Sequence, residues 1–158
     1  MNTAYVALGA NLGDPASTIR AAFGALANLP ESRITHCSSL YRTAPVGIAE
    51  QPDFINAVVA LATTLAPEAL LNELFEVETR FGRQRAEKNG PRTLDLDLLL
   101  YNDLFLDLPR LSLPHPRLHL RAFVLQPLAE IAPDLQIPGR GGISAWLPAV
   151  ANQGIARL

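Results

Sequence analysis

Apolar and polar positions along the chain fall into two periods, one near two residues and one near 3.6, and the places where one gives way to the other mark the elements. Thr3 to Leu8 is a short apolar run ending at Gly9, read as a strand. Asp14-Pro15 then offers an N-cap followed by proline at the first helical position. Ile19, Ala22, Phe23, Leu26 and Leu29 recur at helical spacing until Pro30, which predicts an amphipathic helix with that stripe in the core. Arg33 to Thr43 and Asp53 to Thr64 read as strands able to pair across a Pro/Gly-containing loop, Ala44 to Pro52. A second helix is predicted from Pro67-Glu68, with Leu70, Leu71, Leu74, Phe75 and Phe81 on one side and Gly82 just past its end. Leu94 to Tyr101 is the last strong strand.

Strand, helix, strand, strand, helix, strand is the ferredoxin-like βαββαβ order, an α/β (α+β) fold with two helices packed on an antiparallel sheet. The expected organisation is one domain over 1–158, with a ferredoxin-like core at 1–101 and an extension at 102–158 packed on the same core. The extension should hold a helix near Phe123 to Ile131, a turn at Gly139-Arg-Gly-Gly142 and a weak final helix from about Ser144.

Composition narrows the function. Thirteen basic and fifteen acidic residues give a formal net charge of −2, which argues against generic nucleic-acid binding. No run approaches the roughly 20 apolar residues of a membrane span, and no export signal opens the sequence, so a cytoplasmic protein is expected. Cys37 is the single cysteine and is read as a small buried strand residue.

The chemistry concentrates in two adjoining stretches. In Leu94-Asp95-Leu96-Asp97-Leu98, strand alternation turns Asp95 and Asp97 to one side, roughly 7 Å apart, and the leucines to the core. Two carboxylates so placed, with no dense acidic cage around them, suit a magnesium ion that also coordinates phosphates. Immediately before them, Arg83, Arg85, Lys88 and Arg92 crowd a glycine-bounded loop suited to polyphosphate. Glu78 interrupts the apolar stripe of the second helix and needs either a ligand or an arginine as partner. Phe54 and Asn56 share a strand face that suits a flat heterocycle, the ring to stack and the amide to read its edge. His115, Arg121 and Phe123 form a last cluster; zinc is not expected there, since Pro116 disfavours a helix joining His115 to His119. No Walker A sequence is present, so a nucleotide must be held in another way.

The run Lys88-Asn-Gly-Pro-Arg-Thr-Leu-Asp-Leu-Asp-Leu-Leu99 resembles the signature of the hydroxymethyldihydropterin pyrophosphokinases. Similarity extends through Gly9-Ala-Asn-Leu-Gly13, Ser39-Leu-Tyr-Arg-Thr43, Gln51-Pro-Asp-Phe-Ile-Asn-Ala57, Leu113-Pro-His115 and Phe123 to Pro133. The resemblance implies a ferredoxin-like enzyme that uses ATP with two Mg2+ ions and releases AMP, with ATP and 6-hydroxymethyl-7,8-dihydropterin as its small-molecule substrates. No nucleic-acid or membrane partner is implied, and a monomer is expected.

The same resemblance assigns Asp95 and Asp97 as metal ligands, and Arg83, Arg92 and Asp97 to catalysis. ATP contacts fall to Glu78, Arg83, Arg85, Arg92, Leu98, Arg110, Ser112, His115 and Arg121. Pterin contacts fall to Thr43, Pro45, Val46, Phe54, Asn56, Asp95 and Phe123. Asn89 stands where many members carry tryptophan, and Phe54 and Pro116 where some carry tyrosine. The expected reaction is in-line attack of the pterin hydroxymethyl oxygen on the β-phosphorus while AMP departs, with the second metal lowering the alcohol's pKa or, alternatively, Asp97 accepting the proton. Two rival readings stay open on the residues alone: an Asp-x-Asp site for nucleotidyl or glycosyl transfer, and a noncatalytic ferredoxin-like module that binds a small regulator.

Overall fold

The computed structural model describes residues 1–44, 50–82 and 93–158. Strand β1 (Asn2–Ala10) leads to helix α1 (Pro15–Ala27), capped by the Asp14 carboxylate, which accepts from the Ser17 amide at 3.3 Å and the Ser17 hydroxyl at 2.8 Å. Strands β2 (Ser32–Cys37), β3 (Tyr41–Thr43) and β4 (Phe54–Thr63) follow, then helix α2 (Pro67–Arg80) and strand β5 (Asp95–Tyr101). Gly82 adopts φ +78° just beyond α2, the left-handed conformation that glycine supplies at a helix end.

All pairings in the main sheet are antiparallel, in the order β10 (Ile155–Arg157), β3, β4, β1, β5, with β2 also on β4. Taking β2 and β3 as one interrupted strand, this is the ferredoxin-like arrangement predicted from the sequence. The interruption has a local cause: the Ser38 hydroxyl accepts the Val58 amide at 2.9 Å, replacing a main-chain acceptor and breaking the ladder between the two pieces.

The sheet is covered on both faces. Ile19, Ala22 and Leu26 of α1 and Leu70, Leu74 and Val77 of α2 pack on one side against Val6, Leu8, Leu61, Leu94, Leu96 and Leu98. On the other side, helix α3 (Ala122–Ile131) brings Val124, Leu125 and Leu128 against Ala7, Val58, Leu99 and Leu100. The segment after β5 also adds a hairpin of β6 (Leu106–Leu108) and β7 (Leu111–Leu113), a small hairpin of β8 (Gln136–Ile137) and β9 (Gly141–Gly142), and β10 (Ile155–Arg157), which returns to the main sheet beside β3. Among the described residues, no helix is long and apolar enough to cross a membrane.

Two expectations are corrected. Cys37 is exposed, because it ends the short edge piece β2. The final helix expected from Ser144 is instead two single 3-10 turns, Ile143–Ala145 and Pro148–Val150, since Pro148 denies the amide that a continuous helix requires.

Candidate active site

Cross-strand register builds the site on the α3 face of the sheet. Gly9 in β1 lies opposite Asn56 in β4 and opposite Asp95 in β5, while Ala7 lies opposite Val58 and Asp97. Directly opposed residues share a face, so one rung carries Asn56, Gly9 and Asp95 and the next carries Asp97 beside Ala7. The central strand contributes only a hydrogen and a methyl group at these rungs. α3 packs on the sheet at Val58, and beside it a cavity remains with the sheet as its floor.

That cavity, about 320 Å³, has Ala7, Gly9, Thr43, Phe54 and Asn56 along the sheet and Leu120, Arg121, Phe123 and Gln153 opposite, with Asp95 and Asp97 at one end. Asn56 is buried, and its Nδ2 donates to Thr43 Oγ1 at 2.7 Å, which fixes the amide and leaves Oδ1 over Gly9. The Arg121 guanidinium lies 5.3 Å from the centre of the Phe123 ring, where the ring face stabilises it. Burial pushes the Arg121 pKa down, Asp97 opposes the shift, and Arg117 and Asp95 act more weakly in opposite directions, so the group stays cationic and faces the carboxylates.

A second cavity, about 420 Å³, adjoins the first and shares both aspartates. Leu71, Phe75, Leu98, Leu108, Arg110, Ser112 and His115 complete its wall. Arg110 reaches Asn72 Oδ1 at 2.5 Å and lies 5.8 Å over the Phe75 ring, which holds its cation at the cavity rim. His115 is anchored by its own amide, which donates to the Leu99 carbonyl at 2.9 Å, and its Nδ1 accepts the Arg117 amide at 3.1 Å. Burial first, then repulsion from Arg121 and Arg117, lowers its pKa to about 4 against the opposing pull of Asp95. The imidazole is therefore neutral at pH 7, with its proton on Nε2 as a donor.

Behind the aspartates lies Glu78, which is buried. Its Oε2 accepts the amide of Leu96, the residue between the two aspartates, at 2.8 Å. Among the described residues β5 is the last strand of the sheet, so its outward amides face no further described strand, and Glu78 satisfies one of them from the end of α2.

Among the residues singled out from the sequence, the fold thus gathers Thr43, Phe54, Asn56, Arg121 and Phe123 in the first cavity, Leu98, Arg110, Ser112 and His115 in the second, and Asp95 and Asp97 between them. Glu78 stands behind the strand rather than along either wall as described. Pro45, Val46, Arg83, Arg85, Lys88 and Arg92 lie outside the described residues. The sequence reading missed Ala7 and Gly9 as the floor, and Leu120 and Gln153 as wall. Gly9 carried a usable signal, a glycine closing an apolar strand; Gln153 carried none.

The family model for 7,8-dihydro-6-hydroxymethylpterin-pyrophosphokinase (HPPK) matches residues 5–133. The chain belongs to this family. A 2-amino-4-hydroxy-6-hydroxymethyldihydropteridine pyrophosphokinase of Pseudomonas aeruginosa is 50% identical over 154 residues, which cover 98% of this chain and 95% of the relative. One of the same name from Haemophilus influenzae is 41% identical over 158 residues, covering 100% and 99%. Among solved structures, Plasmodium falciparum HPPK-DHPS with STZ-DHP superposes with a TM-score of 0.75 at 15% identity, and the match covers 94% of this chain and 43% of that one. This chain therefore shares its fold with less than half of that longer protein. Such an HPPK needs a site for a nucleotide beside a site for a pterin, and two cavities that meet at a carboxylate pair have that form.

Proposed function

We propose that this chain transfers the pyrophosphoryl group of ATP to 6-hydroxymethyl-7,8-dihydropterin, giving the pterin diphosphate and AMP, the step that activates the pterin in folate biosynthesis. The observation that carries this reading is the junction itself: Asp95 and Asp97 belong to both cavities at once. A group transferred from a ligand in one cavity to a ligand in the other passes these carboxylates.

The donor set fits magnesium. The carboxylates of Asp95 and Asp97 are hard oxygen ligands on one face of β5, where both cavities meet, and hard oxygen donors shared with phosphate oxygens and water are the set Mg2+ prefers. Asp95 and Asp97 are the residues that would hold it, and we assign two ions to the reacting complex; bound there, Mg2+ would neutralise phosphate charge.

The protein groups then have separate tasks. Phe54 and Phe123 offer ring faces to the pterin, while Asn56, fixed by Thr43, presents Oδ1 to its edge amino group. Pro45 and Val46 are assigned to the same substrate. Arg110 and Ser112 face the nucleotide, Leu98 packs against it, and neutral His115 donates from Nε2 to an acceptor without adding charge. Arg121 supplies a cation that faces the carboxylate junction, and Arg83, Arg85 and Arg92 are assigned to the migrating phosphates. Alignment of the hydroxymethyl oxygen with the β-phosphorus is the main contribution, because phosphoryl transfer needs little covalent help. The enzyme is assigned to the cytoplasm, as a monomeric single domain.

The test is to incubate the pure protein with ATP, MgCl2 and 6-hydroxymethyl-7,8-dihydropterin and to resolve the nucleotide products. AMP in step with pterin diphosphate is expected; pyrophosphate release would instead indicate nucleotidyl transfer. Asp97→Asn should lower kcat on the order of a hundredfold or more while the protein stays folded, the scale of losing one electrostatic contact made in the transition state. Unchanged turnover in that variant would remove the aspartates from the reaction.

A further inference from the structure

The last residues of the chain, well past the stretch matched by the family model, touch both walls of the pterin cavity. On one side β10 pairs with β3, Ile155 opposite Thr43 and Arg157 opposite Tyr41, and the Leu158 amide donates to the Leu40 carbonyl at 2.9 Å. On the other side the Gln153 side chain grips the opposite wall twice. Its Oε1 accepts the Ala122 amide at 2.9 Å, and its Nε2 donates to the Leu120 carbonyl at 2.9 Å.

The two groups gripped belong to the peptide planes on either side of Arg121. Leu120 C=O is part of the plane that sets φ of Arg121, and Ala122 N–H is part of the plane that sets ψ. One planar carboxamide bonded to both therefore holds Arg121 in its extended conformation, φ −124° and ψ 116°. Arg121 is also the N-cap of α3 and provides no side-chain cap, so the Ala122 amide would otherwise be one of the orphan donors at that helix start. Phe123, two residues on, follows the same backbone into the cavity. Nothing within the segment from Leu118 to Ala122 replaces these bonds: the 3-10 turn Leu118–Leu120 ends at Arg121, and α3 begins after it.

We propose that Gln153 is a positioning residue for the pterin reaction, which fixes through the Leu120 and Ala122 backbone the direction in which Arg121 and Phe123 enter the cavity. With Ile155 opposite Thr43 only two residues later, the stretch from Gln153 to Ile155 ties the Arg121 wall to the Thr43 wall, beside the bonds that Glu130 of α3 accepts from Ser39 and Tyr41, and so helps set the width of the slot for a flat heterocycle. This rests on the reading that the first cavity takes the pterin.

The test compares the wild-type chain with Gln153→Leu, which is one bond shorter and loses both polar atoms, each alone and combined with Phe123→Leu. Dissociation constants for 6-hydroxymethyl-7,8-dihydropterin are measured with a nonhydrolysable ATP analogue and Mg2+ present, and Tm is recorded for each protein. Loss of these two hydrogen bonds, one part-buried and one exposed, should weaken pterin binding roughly five- to tenfold in the Phe123 background, with Tm within a few degrees. In the Phe123→Leu background the same change should add less than about twofold, because its effect passes through that ring. Pterin affinity within twofold of wild type for Gln153→Leu, equal losses in both backgrounds, or a loss that tracks a fall in Tm would each overturn the proposal. Wild-type protein that binds no pterin would instead overturn the assignment of the cavity.

Discussion

Replacing Glu78 by alanine tests whether the bond behind the metal pair holds it in place. The carboxylate is buried and accepts the Leu96 amide at 2.8 Å, on the open side of the last strand. Removing it deletes a charge-assisted hydrogen bond and leaves a buried amide without its acceptor, which costs on the order of 3 kcal/mol. Glu78→Gln keeps a carbonyl oxygen at the same reach, so its cost should be nearer about 1 kcal/mol. Against a total stability of roughly 5–15 kcal/mol, the alanine variant should still fold and the difference should be easily measured. Urea unfolding monitored by circular dichroism gives both values by linear extrapolation, with the m-value expected to stay constant. The alanine variant should also bind ATP with magnesium less tightly, because Leu96 sits between the two aspartates. A loss below about 0.5 kcal/mol in Glu78→Ala would refute the reasoning, being within the range of a neutral surface change. So would a Glu78→Gln variant as unstable as Glu78→Ala, since that would make the charge, not the amide bond, the important quantity.

Two further predictions concern the cavity walls. The His115 pKa is lowered from 6.5 to about 4 in the folded protein, so between these values the unfolded chain binds a proton that the native protein does not. Stability should therefore be fully present above pH 6.5 and fall as the pH drops toward about 4, by on the order of 2 kcal/mol after allowance for partial exposure; His115→Asn should flatten that part of a pH series of urea melts, and an unchanged slope would count against it. A Cβ added at Gly9 would lie 3.1 Å from Asn56 Oδ1 and 3.9 Å from the Phe54 ring, so Gly9→Ala must push the amide aside. The expected outcome is about a tenfold or greater loss of pterin affinity, with ATP binding nearly unchanged, the scale of misplacing one bonded edge group; equal losses for both ligands by titration would contradict it.

Much of this protein is written locally. Asp14-Pro15 and Gly82 mark helix boundaries through capping geometry that depends on a few neighbouring residues. The alternation in Leu94 to Leu98 placed both aspartates on one face, because strand side chains alternate whatever packs on them. The residues of both cavities were legible as types, an amide with an aromatic ring, cations near carboxylates, although only the resemblance joined them into one enzyme.

Tertiary structure decided what local pattern leaves free. Leu99 and Leu100 both face α3 because the register of β5 shifts against Tyr5 and Val6, and a bulge depends on the partner strand rather than on the strand's own sequence. That Gly9 lies between Asn56 and Asp95 follows from register across three strands, and that Gln153 braces Arg121 follows from where the chain's end returns to the sheet. Sequence fixes which groups are present and which way each local stretch turns them. Contacts between residues far apart in the chain exist only when the sheet closes, because the free energy that selects them is the burial shared by all its elements at once.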